Sequence, residues 1–401
     1  ILIFGQAERE DRAMEEQKRN KKSIEKLLPT MLFLLLIFGF TAISLFTPIK
    51  KFSENENRVL AQRPKFQWNS LWKGTYTKDY ETFITDQFFK RDAWIGIKTW
   101  TELAMQKKEI NGVFFARDDY LIETQKKEEV DTKQLEKNEE WLLKFISKYE
   151  KLFGSDRVHA MLVPTASEVL ADKLPKFAQT YSQQKLLDEM KTNFPKGTFL
   201  DVGETLKQHT EEYIYYKTDH HWTAQGAYYA YEQWAKACEF LPWDSSKFQI
   251  EKVNDSFYGT IYSKINIKTT KPDEIYLYQT KETYQVEYDM DRKKKDTLYE
   301  KSHLETKDKY SVYLDGNHGI VQVDTNIQDN ADRKLLILKD SYAHCFTPFA
   351  VNHFPVTYMI DLRYFNMPIS QFIKNYQITD ILVLYNVRSF ITDKNLYKIV
   401  R

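Results

Sequence analysis

A chain of 401 residues can hold one large domain or two around a sizeable core, and 58 basic against 57 acidic residues leave no global field arguing for nucleic acid. Two cysteines, Cys238 and Cys345, exclude a disulfide-rich scaffold and most structural zinc sites, and packed free thiols are the expected state. Aromatic residues make up 15% of the sequence, which a well-filled core explains more readily than a set of sugar-stacking surfaces.

The sequence begins at Ile1, and Met14 would be a natural initiator. From Leu27 to Ile49 run 23 residues without a charge, mostly Leu, Phe and Ile, enough to cross a bilayer as a helix. Lys18, Arg19, Lys21, Lys22 and Lys26 precede them, so residues 1–26 are expected in the cytoplasm and residues 50–401 outside. An uncleaved anchor over 27–49 is the expectation; a signal peptide cleaved near Ala42-Ile43-Ser44 is the alternative.

An extended polar connector follows, through Ser53-Glu54-Asn55-Glu56-Asn57-Arg58 and the Pro64 region. Helical spacing of Tyr76, Tyr80, Phe83, Ile84, Phe88, Trp94, Ile97 and Trp100 predicts two helices over 75–108, joined at Asp86–Asp92. A hairpin is expected from Asn111–Phe115 and Tyr120–Ile122, turning at Arg117-Asp118-Asp119. With these elements, residues 50–130 are expected to pack as a region of their own on a catalytic domain spanning 131–401.

In that domain, an amphipathic helix at 131–153, a strand at 158–163, a helix near 181–193, a strand at 198–202 and a helix at 223–238 alternate as in a mostly parallel sheet with flanking helices. Residues 247–330 break the rhythm, with strands expected at 275–278, 284–288 and 310–314, and are read as a β-rich insertion on one side of the sheet. The run Arg292-Lys293-Lys294-Lys295 reads as a solvated turn. From 333 the alternation returns: strand 334–339, helix from Tyr342, strand 356–360, helix 367–376, strand 380–385.

Two motifs carry chemistry. In Thr218-Asp219-His220-His221-Trp222-Thr223 a carboxylate precedes an imidazole by two residues, close enough to fix its tautomer and leave the other ring nitrogen as a base. The matching nucleophile is Ser341, in Lys339-Asp340-Ser341-Tyr342, where an apolar strand gives way to a helix; there backbone N–H groups can meet a developing oxyanion. A plain helix cap by Asp340 and Ser341 is the competing reading. His220 is assigned to structure or solvent, because its side chain should diverge from that of His221. Zinc on the adjacent histidines is not expected, and no cofactor is.

With those motifs the chain resembles the DHHW family of SGNH-hydrolase-like proteins and is similar to the alginate O-acetyltransferases of bacterial exopolysaccharide systems. The resemblance runs from about Glu54-Asn55-Glu56-Asn57-Arg58, through Lys108-Glu109-Ile110-Asn111-Gly112-Val113, to the last strand. It implies a flavodoxin-like, circularly permuted α/β fold in which Asp and His precede Ser, with Ser341 as nucleophile, His221 as general base and Asp219 as its orienting carboxylate. Lys339 stands where ordinary SGNH hydrolases carry Gly. Asn386 is the best counterpart of their oxyanion Asn, with Gly316, Asn317, Arg363, Tyr342 and Trp222 as further neighbours of the site. For Arg363 an ion pair with Asp361 is the alternative, for Asn386 a turn, and for Trp222 packing under the imidazole.

The implied activity is extracytoplasmic O-acetyl transfer to a cell-surface polysaccharide, in a bacterial and loosely Gram-positive envelope. A membrane-bound O-acyltransferase is the implied acetyl supplier. An acetylesterase using the same triad and a non-catalytic glycan-binding scaffold are the alternatives.

Overall fold

The structure, a computed structural model, describes Met14 and residues 25–44, 46–53, 58–291 and 294–401. The basic run Lys18–Lys22, residues 54–57 of the connector, and Arg292 and Lys293 lie outside the described residues. The described residues form two compact units, one reaching to Trp94 and one running from Ile95 to Arg401. The hairpin around residues 111–122 belongs to the second unit.

In the first unit, α1 (Glu25–Ser44) has a mean hydropathy of 2.2 and is long and apolar enough to cross a membrane. Phe40, near its end, packs edge-on against Trp94 at 5.3 Å between ring centroids. After α2 (Thr75–Asp86), the carboxylate of Asp86 takes both terminal nitrogens of Arg58, at 2.6 and 2.9 Å, and the Ala61 N–H at 2.8 Å. The Arg58 guanidinium therefore holds the Asp86 carboxyl below its usual range. Helix α3 spans Arg91–Ala104.

The second unit opens with an antiparallel three-stranded sheet, β1 (Glu109–Ile110), β2 (Val113–Phe115) and β3 (Leu121–Glu123), whose turn at Arg117–Asp119 is where the sequence placed it. Helix α4 (Thr132–Phe153) starts on Asp131, which accepts the Gln134 N–H, and stops at Gly154, whose φ of +103° suits only glycine.

Among the described residues the main sheet has eight strands. In chain order these are β4 (Val158–Val163), β5 (Phe199–Leu200), β8 (Tyr284–Tyr288), β9 (Lys294–Lys295), β10 (Ile320–Thr325), β11 (Lys334–Lys339), β12 (Val356–Ile360) and β13 (Asp380–Asn386); across the sheet they lie β9-β8-β10-β12-β11-β13-β4-β5. The five from β12 to β5 are parallel. Helices α5 (Gln183–Asn193), α6 (Ala224–Ala237), α8 (Ala343–Ala350), α9 (Ile369–Tyr376) and α10 (Val387–Thr392) flank them, and the short α7 (Thr260–Ile265) lies in the insertion. All six residues of β4 are buried, as a strand covered on both faces requires.

Alternate side chains feed opposite cores. Leu335, Ile337, Leu382 and Leu384 join one with α6 and α8, while Leu336, Leu338, Ile381 and Val383 join the other with α4, α5 and α9.

The insertion differs from its expectation. Strands β8, β9 and β10 extend the main sheet edge-on and antiparallel, and only β6 (Gln249–Phe257) and β7 (Asp273–Gln279) form a separate hairpin. Residues 309–312 form a 3-10 turn instead of a strand, because Tyr310 faces inward against His221 rather than alternating along a ladder. Lys294 and Lys295, expected in a turn, pair as β9 with Glu287 and Val286. Both cysteines are free and buried.

At the amino ends of β11 and β13, Arg333 chelates Asp380 and stacks over Phe240 at 4.4 Å, with Asp380 only 2% exposed. Asp380→Ala would strand that guanidinium, and it is expected to lower stability by roughly 3 kcal/mol, read as the shift of the urea unfolding midpoint.

Candidate active site

The parallel strands set the stage. Ser341 follows β11, Asn386 ends β13, Thr165 follows β4 and Asp361 follows β12, so all four lie at the carboxyl edge of the sheet. The His-bearing segment reaches that edge as a small loop. Tyr215 and Trp222 pair as an antiparallel bridge, the Tyr216 N–H meets the His221 carbonyl at 3.2 Å, and residues 217–220 form the tip. Thr223 then caps α6, and Gly226 is required there because a Cβ would come within 2.4 Å of the Ile214 carbonyl.

A buried carboxylate that the sequence reading missed, Asp273 at the start of β7, holds the loop. It accepts the N–H groups of Lys217 and Thr218 at 2.7 Å each, the Thr218 hydroxyl at 2.5 Å and the Tyr213 hydroxyl at 2.5 Å. Burial raises the Asp273 pKa against those donors.

Three side chains converge at the loop tip. The His221 Nδ1 lies 2.5 Å from Asp219 Oδ1, and its Nε2 lies 2.7 Å from Ser341 Oγ. Asp219 also accepts the His221 N–H at 3.1 Å on Oδ1, and on Oδ2 the Thr260 N–H at 2.7 Å and the Thr260 hydroxyl at 3.0 Å. Burial works to raise the Asp219 pKa, but the two neighbouring imidazoles and these donors reverse it and hold the group ionised, well below the usual range.

An ionised carboxylate only accepts, so His221 carries its proton on Nδ1 and offers Nε2 as acceptor to the Ser341 hydroxyl. Burial, helped by the neighbouring His220, lowers the His221 pKa to about 4 against the pull of Asp219, so the imidazole is a neutral base at physiological pH. Tyr310 lies parallel to one face of that ring at 3.7 Å, and its hydroxyl donates to the Ser341 carbonyl at 3.0 Å.

Asp340 locks the elbow. Its Oδ1 takes the Tyr342 N–H at 2.8 Å, and its Oδ2 takes the Asn386 N–H at 2.8 Å and the Asn386 side-chain amide at 2.6 Å. Burial raises the Asp340 pKa to about 6, while the backbone donors of Asn386 and Tyr342 oppose it. With Tyr342 N–H spent on Asp340, the Ser341 N–H is the elbow donor that meets no acceptor among the described residues.

Lys339, at the position where a glycine was the familiar residue, is buried. It donates to His344 Nε2 at 2.8 Å and lies 3.8 Å from Asp361. Burial lowers its pKa to about 8, partly offset by Asp361.

The other expected neighbours have different tasks. Asn386 was read as an oxyanion donor, but its amide hydrogens go to Asp340 and to Ser389 Oγ, and its Oδ1 caps α10 through the Ser389 N–H. It holds the elbow in place. Arg363 is clamped by Asp361 at 2.9 and 2.6 Å, and its Nη2 reaches Asn317 Oδ1 at 3.2 Å, which is the ion pair of the alternative reading.

Gly316 sits in a turn with φ of +81°. Trp222 is fully buried and donates Nε1 to the Tyr342 carbonyl at 2.9 Å, so it supports the elbow; the rings packed on the imidazole are Tyr310 and His220. Tyr342 donates its hydroxyl to the His220 carbonyl at 2.6 Å.

His220 does not diverge. Its ring lies 3.9 Å from that of His221 with a 36° tilt, and its Nδ1 is 2.7 Å from Thr260 Oγ1. Ligand atoms of Asp219, His220 and His221 fall within 4.8 Å of one another, but those of Asp219 and His221 are committed to each other and to Thr260 and Ser341.

Beside this array lies a cleft of about 330 Å³, lined by Asp219, His220, Tyr342, Asn386, Thr165 and Arg388 among others. On its wall Glu123 holds both Arg388, at 2.6 Å, and Lys264. A larger cavity of about 890 Å³, around Tyr120, Tyr213, Asp273 and Tyr276, includes none of the three converging side chains. Thr260, Asp273, Tyr310, Glu123 and Arg388 gave no sequence signal, since each reaches the site from a distant element.

A family model described as "DHHW protein" matches residues 140–360, more than half the chain, so the chain belongs to the DHHW family. Its fold is the mostly parallel, SGNH-like α/β sheet that the motifs implied. A crystal structure of a DHHW family protein from Eubacterium siraeum is 26% identical, with a TM-score of 0.62 over 72% of this chain and 95% of that one. Bacillus cereus PatB1 with a sulfonyl adduct is 18% identical, with a TM-score of 0.58 over 71% of this chain and 99% of PatB1. The O-acetyltransferase domain of Pseudomonas putida AlgJ is 14% identical, with a TM-score of 0.42 over 72% of this chain and 99% of that domain. Among the curated proteins, none matches.

Gly259 is the tightest steric point of the site, because a Cβ there would lie 2.2 Å from Asp219 Cβ and 2.4 Å from its Oδ2. Gly259→Ala is expected to cost roughly 1–3 kcal/mol in urea unfolding. It is also expected to remove the far-downfield proton resonance that a buried imidazole–carboxylate bond gives.

Proposed function

We propose that this chain is an extracytoplasmic, membrane-anchored serine O-acetyltransferase that modifies a cell-surface polysaccharide. The observation that carries the reading is the 2.7 Å bond between Ser341 Oγ and His221 Nε2, in an imidazole whose opposite nitrogen is fixed by Asp219. The apolar helix α1 supports the anchor, and the DHHW membership supports the assignment of the three residues.

In the first half-reaction Ser341 Oγ bonds to the acetyl carbonyl carbon as its proton passes to His221 Nε2. The tetrahedral oxyanion meets the Ser341 N–H at the elbow. The donor's leaving group departs with the proton from His221, and acetyl-Ser341 remains. In the second half-reaction a sugar hydroxyl gives its proton to the same nitrogen and its oxygen bonds to the acetyl carbon. Ser341 Oγ leaves and recovers that proton. Asp219 stays ionised throughout and stabilises the transient imidazolium. A membrane-bound O-acyltransferase would supply acetyl groups at the face of the bilayer where the anchor holds this domain.

Two experiments test the reading. With 4-nitrophenyl acetate the wild type is expected to give a burst of nitrophenolate and an acetylated Ser341 peptide in mass spectrometry. Ser341→Ala and His221→Ala should each lose on the order of 10⁴-fold or more in turnover. Acetate release that polysaccharide acceptors never redirect would make the protein an esterase; no acetylation of Ser341 and no loss in His221→Ala would leave a binding protein.

The pH profile is the second. The base works only when neutral, so activity falls as pH drops through the His221 pKa. The acid limb of kcat/KM is expected near pH 4 rather than near the 6.5 of an ordinary imidazole.

A further inference from the structure

The array contains a second imidazole that the triad does not use. Thr260 Oγ1 carries one proton, and it gives that proton to Asp219 Oδ2, because an ionised carboxylate can only accept. The His220 Nδ1, 2.7 Å from the same oxygen, must therefore be the donor of that contact. The tautomer of His220 is thus fixed by the same carboxylate that fixes His221, through one intervening hydroxyl. Its Nε2 is left as a hydrogen-bond acceptor, and it has no partner among the described residues.

The direction of that nitrogen follows from the pairing. The rings lie 3.9 Å apart with a tilt of 36°, and both Nδ1 edges face the Asp219–Thr260 side. Both Nε2 edges consequently face the opposite side, where Ser341 lies against His221. The His220 side chain is 38% exposed and lines the cleft with Asp219, Thr260, Tyr342, Thr165 and Arg388. The two rings, 3.9 Å apart, thus carry two acceptor nitrogens, of which that of His221 meets Ser341. Neighbouring hydroxyls of a sugar ring have a comparable spacing, and each carries one proton to donate.

We propose that the cleft lined by His220 and by Tyr342, the residue after Ser341, is the acceptor subsite and that His220 Nε2 binds the hydroxyl adjacent to the one being acetylated. The inference rests on the transferase reading above and specifies its acceptor as a vicinal diol. The attacking hydroxyl loses its proton to His221 Nε2 as its oxygen bonds to the acetyl carbon and the bond to Ser341 Oγ breaks. The adjacent hydroxyl keeps its proton and only donates a hydrogen bond to His220. That bond places the attacking oxygen over the acyl-enzyme, where water has no second hydroxyl with which to be held. His220 thereby favours transfer over hydrolysis without taking part in acylation.

The test uses 4-nitrophenyl acetate as donor, and trans-cyclohexane-1,2-diol, methyl glucoside and cyclohexanol as acceptors. Three quantities are read: the nitrophenolate burst, released acetate and acetylated acceptor. Two variants separate the roles of the ring nitrogens. His220→Gln places an amide oxygen near the Nε2 position and gives up the Thr260 contact. His220→Asn keeps a donor toward Thr260 and gives up the Nε2 acceptor.

The wild type is expected to acetylate the diols in preference to cyclohexanol. His220→Asn should lose about tenfold in the ratio of transfer to hydrolysis, the worth of one hydrogen bond, with both products normalised to the variant's own burst. His220→Gln should retain most of that ratio.

A structural role for His220 predicts the reverse order, with the asparagine variant intact and the glutamine variant impaired, and that result overturns the proposal. So does a wild type that acetylates cyclohexanol as well as the diols, or one that gives a burst and only acetate. Absence of any burst refutes the nucleophile assignment itself, and is thereby distinct from failure of the acceptor subsite.

Discussion

The buried carboxylate of Asp219 is the constraint on which the site depends. Four donors from two segments converge on it, the backbone and ring of His221 and the backbone and hydroxyl of Thr260. At 3% exposure an ion this deep is tolerable only because every approach is occupied by a donor. Its charge decides both imidazole tautomers, that of His221 directly and that of His220 through Thr260. Its position needs Gly259, since no side chain fits between that backbone and the carboxylate.

A second carboxylate performs the corresponding task on the Ser341 side. Asp340 ties the elbow to the end of β13 through two bonds to Asn386, so the serine is set by the pairing of two parallel strands. Beneath it, Lys339, His344 and Asp361 fill with a hydrogen-bonded charge network the space that a smaller residue would leave. Trp222 and Tyr310 connect the halves: the indole bonds to the carbonyl of Tyr342, and the phenol bonds to that of Ser341 while covering His221. His221 and Ser341, 120 residues apart, are thus fixed to each other by backbone contacts as well as by their own bond.

The antiparallel extension changes how the insertion is understood. Strands β8, β9 and β10 continue the main sheet beyond β12, which buries what would otherwise be an open parallel edge. The remaining hairpin, β6 and β7, brings Asp273 and the Gly259–Thr260 turn to the His-bearing loop. The stretch that breaks the α/β rhythm in sequence therefore supplies the braces of the site.

Short-range order was readable from the residues alone. The apolar runs of β4, β11 and β13 are buried on both faces and so lack alternation, which marks them as parallel strands. Asp219 and His221 are two residues apart, so their bond is a local event that any tight turn allows. The strand-to-helix step at Ser341 likewise needs only its own neighbours. What the folded chain alone decided are contacts between segments far apart, where the outcome depends on packing and not on local preference. Thr260 reaches Asp219 across 41 residues and Asp273 reaches Thr218 across 55, and neither has a sequence pattern of its own. Asn386 looked like a donor to substrate until the register of β11 against β13 put Asp340 beside it, and His220 looked idle until Thr260 turned its ring onto that of His221. A carboxylate's need for donors is universal, but which distant donors meet it is settled only when the strands have found their order.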